Sequence, residues 1–134
     1  MEYDEIIFPI VPFPKPRMTQ RDKWKKRPVV VKYHLFKDGL KHYACENKYE
    51  VGGELSLTFV MPFPKSYSKK KKESLRGKPH QIRPDLDNLV KAFKDALCLE
   101  DSYVYKYNCV QKIWGDEGKI IIKEPKNYLD DTSI

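Results

Sequence analysis

Asp85, Asp87, Asp101 and Lys91 are the residues of this chain whose types and spacing best suit chemistry. In Arg83-Pro84-Asp85-Leu86-Asp87-Asn88 the proline drives Arg83 into an extended conformation. If the chain stays extended, both carboxylates project from one face, about 6 to 7 Å apart. Two such groups can reach one cation. That cation must be hard, because the motif offers oxygen and neither Cys nor His, and magnesium takes one or two carboxylates while keeping its waters. Mg²⁺ is therefore expected, with Mn²⁺ as a substitute. Lys91 lies one turn after Asp87 on a helix, where its ammonium can reach back toward a carboxylate or a phosphate. Asp101, in Leu99-Glu100-Asp101, is a candidate third acid. A helix of about ten residues, roughly 15 Å long, precedes it, so the strand that follows must return beside Asp85 for the set to close. The chemistry open to such a set is in-line hydrolysis of a phosphodiester, with the cation neutralising non-bridging oxygens and Lys91 countering the charge that builds on the phosphate. Each residue also has a plainer use: Asp87 as a helix N-cap, Lys91 as its surface partner, Asp101 as the start of a turn.

The elements that must position these residues follow from periodicity. Asp87 is read as the N-cap of a helix over 88–97, with Leu89, Val90, Phe93 and Leu97 on one stripe. Glu5 to Val11 reads as a first strand, with Pro9 marking a sheet edge or an early end. Pro28 suits the first turn of a helix whose face is Val29, Tyr33, Phe36, Leu40, Tyr43 and Ala44, although Val29-Val30-Val31 and Gly39 leave a strand over 29–36 open. Leu55, Leu57, Phe59 and Met61 alternate as a strand should, and Ser68 can cap a short exposed helix after it. Tyr103 to Trp114 and Lys119 to Lys123, joined by the turn Gly115 to Gly118, read as a C-terminal β-hairpin. Pro125 to Ile134 is polar and expected to fray. The sum is one α/β domain over 1–134, with a core at about 5–124: a mixed sheet of about four strands with two or three helices.

The chain has 134 residues, of which 26 are Lys or Arg and 19 Asp or Glu, giving a net charge of +7. Such a field draws polyanions, and nucleic acid is the expected partner. The charge is clustered. Lys15, Arg17, Arg21, Lys23, Lys25, Lys26 and Arg27 face the single acid Asp22, with Trp24 among them. Lys69, Lys70, Lys71, Lys72, Arg76 and Lys78 face only Glu73. Dense positive charge beside an aromatic ring is how phosphate tracks and base platforms are built. Cys45, Cys98 and Cys109 have no close spacing and read as idle or buried thiols in a reducing compartment, and His34, His42 and His80 have no zinc-site spacing. No signal-peptide core precedes the early prolines and no run approaches a membrane span, so a soluble, cytoplasmic protein is expected.

The order Asp85-Leu86-Asp87-Asn88-Leu89, Lys91-Ala92-Phe93, Asp95-Ala96-Leu97, Leu99-Glu100-Asp101 and Val104 resembles the signature of the RusA family of Holliday junction resolvases. Pro14-Lys15-Pro16-Arg17 is similar to that family's front strand and basic loop, so the resemblance spans about residues 5 to 124. It implies a homodimeric, magnesium-dependent endonuclease that nicks two strands of a four-way DNA junction symmetrically, in recombination and repair. A phage or prophage origin suits it. Asp85, Asp87 and Asp101 fall on the family's catalytic, metal-holding acids and Lys91 on its helix lysine. Glu100 stands where members often have aspartate, and Pro84 where a basic residue is common, which shifts the expected phosphate contact to Arg83. The expected DNA contacts are Lys15, Arg17, Arg21, Lys69, Lys70, Lys71, Lys72, Arg76 and Arg83. The strands 55–61 and 103–114 are the candidate dimer faces. Two alternatives stay open: a non-catalytic basic nucleic-acid-binding module, and a nuclease selective for flaps or forks.

Overall fold

The computed structural model describes residues 3–17 and 27–125. Arg21, Trp24 and the polar tail beyond Pro125 lie outside the described residues. The elements are β1 (Tyr3–Phe8), α1 (Pro28–Glu46), β2 (Glu54–Pro62), α2 (Lys69–Leu75), α3 (Leu86–Leu97), a 3₁₀ turn (Asp101–Tyr103), β3 (Lys106–Gly115) and β4 (Lys119–Pro125). They make a single small α/β domain around a four-stranded mixed sheet of order β1-β4-β2-β3. β1 is an edge strand that ends before Pro9, as a proline there requires.

Helix wins over strand at residues 28–46. Pro28 sits in the first turn, where its missing N–H costs nothing, and Val30, Tyr33, Phe36, Leu40 and Ala44 form the buried face. The valine that faces inward is thus Val30 rather than Val29. Gly39 is explained by packing: a Cβ there would lie 2.7 Å from Ile10 Cδ1.

Two expectations are overturned. β3 and β4 are not a hairpin. β3 runs parallel to β2 along one side, β4 antiparallel to β2 along the other, and the short link 116–118 crosses the end of β2. The physical reason is an open slot in the sheet. β1 and β2 are joined through α1 and run in the same direction, and β4 enters between them, antiparallel to both. There Ile120 faces Phe8 and Phe59, and Ile122 faces Ile6 and Leu57, so the isoleucines complete two apolar rows that β3 could not supply. The crossing is tight: a Cβ on Gly115 would fall 2.3 Å from Val60 Cγ1. Being central, β2 is also covered on both sides by strands, which removes it as a dimer edge. The aromatic strand does lie at an edge, but it begins at Lys106, and residues 101–103 form the 3₁₀ turn.

α1 and α3 pack on one face of the sheet. Leu89, Val90, Ala92, Phe93 and Ala96 of α3 join Tyr33, Phe36 and Leu40 of α1 over Leu55, Leu57, Phe59, Ile120 and Ile122 in one core. Asp95 ties the helices together at the rim. It accepts a 2.6 Å hydrogen bond from Tyr33 Oη and a 3.2 Å bond from Lys37 Nζ, with Lys15 Nζ at 3.8 Å. Burial pushes the Asp95 carboxyl up, but the bonds from Tyr33 and Lys37 and the charges of Lys15 and Lys37 outweigh it and hold the pKa below its ordinary value. The three thiols form no disulfide; Cys45 and Cys109 are exposed rather than buried, and Cys98 is half-buried. Among the described residues no helix is long and apolar enough to cross a membrane.

Gly115→Ala is expected to cost about 1–3 kcal/mol in urea unfolding through overpacking against Val60, and Gly115→Ala combined with Val60→Ala to cost less than the two changes summed. Because folding lowers the Asp95 pKa below 3.8, the stability it contributes is present above that pH and disappears as pH falls through the folded value. The stability gap between the native chain and Asp95→Asn should therefore be widest near neutrality and close below about pH 4, measured by urea unfolding across pH.

Candidate nuclease site

Asp85, not Asp87, is the N-cap of α3: it has extended backbone (φ −66°, ψ 140°), and its carbonyl accepts from Asn88 N at 3.1 Å. Asp87 lies inside the first turn. The two carboxylates are thus presented by a helix start, not by a continuous extended segment. The Arg83–Pro84 peptide bond before them is cis. An aspartate at an N-cap ordinarily satisfies one of the free amides with its side chain. The Asp85 side chain makes no such bond, so the plain capping use does not account for it. Both acids benefit from the positive end of the helix.

Asp85, Leu86 and Asp87 line an open cleft with His80, Gln81, Ile82, Arg83 and Lys112. Arg83 is exposed at its rim, a place from which it can meet a phosphate. Lys91 is exposed one turn along α3. α3 and β3 run in opposite directions: Lys94 Nζ donates to Tyr107 Oη at 3.3 Å near one end, and Lys112 lines the cleft with Asp85 at the other. The strand after the helix therefore does return beside Asp85, but the residue it delivers is Lys112. Asp101 stays at the other end of α3, where its neighbours Glu100 and Ser102 line a second cavity with Tyr49, Leu97 and Cys98. Among the described residues no three His, Cys, Asp or Glu side chains form a group that could hold a metal ion. Asp85 and Asp87 still suit magnesium, which needs only one or two protein carboxylates and fills its shell with water.

Two residues of the cleft, His80 and Lys112, are ones that sequence reasoning missed. His80 is 5% exposed, and among the described residues its Nδ1 has no hydrogen-bond partner. Burial and the nearby Lys112 charge both lower its pKa. It packs on Trp114 at 4.3 Å, and Trp114 is stacked on Phe63 at 5.3 Å and tilted against Tyr67 at 5.7 Å. Burial lowers the Lys112 pKa, and the charge of Asp85 opposes that shift without cancelling it. The sequence did hold a signal for Lys112: it breaks the apolar alternation of Val110 and Trp114.

That aromatic cluster joins the cleft to the basic helix α2. Ser68 caps α2 as expected, accepting from Lys71 N at 3.1 Å. Lys69, Lys70 and Lys71 are exposed in the first turn, where the helix dipole disfavours positive charge. Lys72 is half-buried, and Lys71 Nζ lies 3.9 Å over the Tyr67 ring. Arg76 is engaged within the chain, donating two 2.8 Å bonds to Asp116. Lys15 is likewise beside Asp95. Arg17 is exposed, while Arg21 lies outside the described residues.

A carboxylate pair at a helix start thus lines an open cleft, and a lysine-rich helix lies beyond the aromatic cluster beside it. The family model described as Endodeoxyribonuclease RusA matches residues 8–123, and the chain belongs to that family. It is accordingly a DNA endonuclease of the junction-resolving class, with branched DNA as its substrate class. A search of curated proteins finds no match.

Replacing Lys69, Lys70 and Lys71 with Gln should weaken DNA binding and flatten its salt dependence. The slope of log K against log salt falls by about 0.9 for each phosphate that is no longer neutralised, so by up to about 2.7 in all. Titrations from about 50 to 200 mM salt by fluorescence anisotropy read this directly.

Proposed function

We propose that this protein resolves four-way DNA junctions by magnesium-dependent, paired symmetric nicks, acting as a homodimer in recombination and repair. The observation that carries the reading is Asp85, an N-cap aspartate whose carboxylate does no capping and lines the cleft with Asp87, in a chain of the RusA family.

In this reading Asp85 and Asp87 hold the cation, with Mn²⁺ able to replace Mg²⁺. When bound, the ion supplies charge neutralisation at the scissile phosphate and a rigid frame of oxygen ligands. Lys91 offsets negative charge on the phosphate from one turn along the helix, and Arg83 fixes a neighbouring phosphate at the rim. Lys69 to Lys72 draw the DNA toward an acidic centre that would otherwise repel it, so metal and DNA binding reinforce each other. Asp101 enters as a third acid on the resemblance alone, since α3 separates it from the pair within one chain. A two-fold dimer matches the approximate two-fold symmetry of a four-way junction and sets one site on each of two opposed strands. The N-terminal half of the outer edge of β3, with the exposed Tyr107 and with Tyr105 just before the strand, is the candidate dimer face.

The test incubates the protein with labelled four-way junction, fork and linear duplex, with and without Mg²⁺. Paired symmetric nicks are expected in the junction only, and only with metal. Asp85→Asn should lower the cleavage rate by at least about 100-fold, as loss of a group that positions a reacting centre does, while leaving junction affinity without metal near that of the native chain. Cleavage by Asp85→Asn at the native rate, or preferential cutting of the fork, would refute the proposal.

A further inference from the structure

β3 places Val110, Lys112 and Trp114 in register with Leu57, Phe59 and Met61 of β2. Those three β2 residues are buried and belong to the core under the helices. A lysine in that phase occupies a position where the strand pattern calls for an apolar side chain. Its ammonium leaves the apolar layer by donating to two backbone carbonyls, those of Ile82 and Pro84. These carbonyls flank Arg83, and that of Pro84 immediately precedes Asp85. The main chain of β3 grips the same segment. His80 N donates to the Lys112 carbonyl at 3.1 Å, Trp114 N to the Lys78 carbonyl at 3.0 Å, and Gly77 N to the Trp114 carbonyl at 2.9 Å. Residues 77–80 are thus zipped to the outer edge of β3, and the Lys112 side chain extends the hold through residues 82–84 to the first residue of the site.

We propose that Lys112 is a positioning residue for DNA cleavage: by clamping the Ile82 and Pro84 carbonyls it fixes the backbone entering α3, and with it the direction in which Asp85 meets the cation. The proposal rests on the reading of Asp85 as a cation-holding acid. The chemistry suits the task. An ammonium has three donors and no acceptor, so it can bind two carbonyls at once, and neither Met nor Leu in the same space could. Without it, two carbonyls lose their partner, and the segment 82–84 is held only by its ends. A displacement of about 1 Å at a reacting group costs on the order of 100-fold in rate. A competing use for an inward lysine on an edge strand is to block edge-to-edge pairing; that use concerns association and not rate.

The experiment compares native protein, Lys112→Met, Lys112→Gln and Asp85→Asn in three measurements. These are single-turnover cleavage of a four-way junction, Mn²⁺ affinity by electron paramagnetic resonance without DNA, and junction affinity without metal. Lys112→Met is expected to cleave about 30- to 100-fold more slowly and to bind Mn²⁺ more weakly, with junction affinity and oligomeric state unchanged. Lys112→Gln, which keeps one donor group, is expected to fall between it and the native chain, and it serves as the deciding variant should Lys112→Met not fold. A folded variant with native rate and native Mn²⁺ affinity overturns the proposal. So does one whose junction affinity drops in step with rate, which would make Lys112 a phosphate contact, or one that changes only in association. Asp85→Asn separates the two levels: native cleavage and Mn²⁺ binding by that variant removes the underlying reading, whereas an inactive Asp85→Asn beside a native-like Lys112→Met removes only the positioning role.

Discussion

The packing of α3 against the sheet fixes where the site can form. Leu89, Val90, Ala92, Phe93 and Ala96 are buried on one face of a twelve-residue helix, and burying such side chains is worth roughly 1.5–3 kcal/mol for each of the larger ones. With that face in one core with α1, β2 and β4, sliding or rotating the helix would expose it. Its N-terminus then lies where Lys112 reaches the segment before Asp85, and its first turn opens on solvent. A carboxylate at the N-cap therefore has a defined position even though its side chain bonds to nothing in the cap.

The acids of the chain divide by what surrounds them. Asp95 is enclosed by Tyr33, Lys37 and Lys15 and links two helices. Asp116 is held by the Arg76 fork. Both face basic side chains of the chain itself, Lys15 beside Asp95 and Arg76 bonded to Asp116. Asp85 and Asp87 sit in a cleft instead, at the helix end whose dipole tolerates negative charge best. The α2 lysines are the reverse case: they stand in a first turn, where the helix dipole favours acids.

Local patterns were legible in the sequence where a local cause decides the outcome. The α3 stripe, the alternation of β2, the Ser68 cap and the early stop of β1 at Pro9 all come from periodicity or from one residue's stereochemistry. Pairing was not legible in the same way. Tyr103 to Trp114 and Lys119 to Lys123 have the composition and the turn of a hairpin, yet β4 joins β1 and β2 because the partner rows of Phe8, Phe59 and Leu57 lie far away along the chain. The N-cap lies two residues before the one the sequence suggests, because Asp85 and Asp87 are equally good capping types and only the backbone angles distinguish them. Whether Asp101 returns to the first acids depended on the length of the turn after α3, which no periodicity encodes.

The failed hairpin and the unexpected lysine have a common origin. With β4 drawn to the far side of β2, β3 becomes an edge strand with an open outer rim. At its C-terminal half that rim is free to take up the segment 77–80, so the chain leading to Asp85 is laid along the sheet and not left as a loop. A hairpin closed on that outer rim would have given it to β4, and the segment before α3 would have gone without its support. The topology that local reasoning could not foresee is thus the one that gives the carboxylate pair a rigid base, and Lys112 has a carbonyl pair to hold only because the edge was left open.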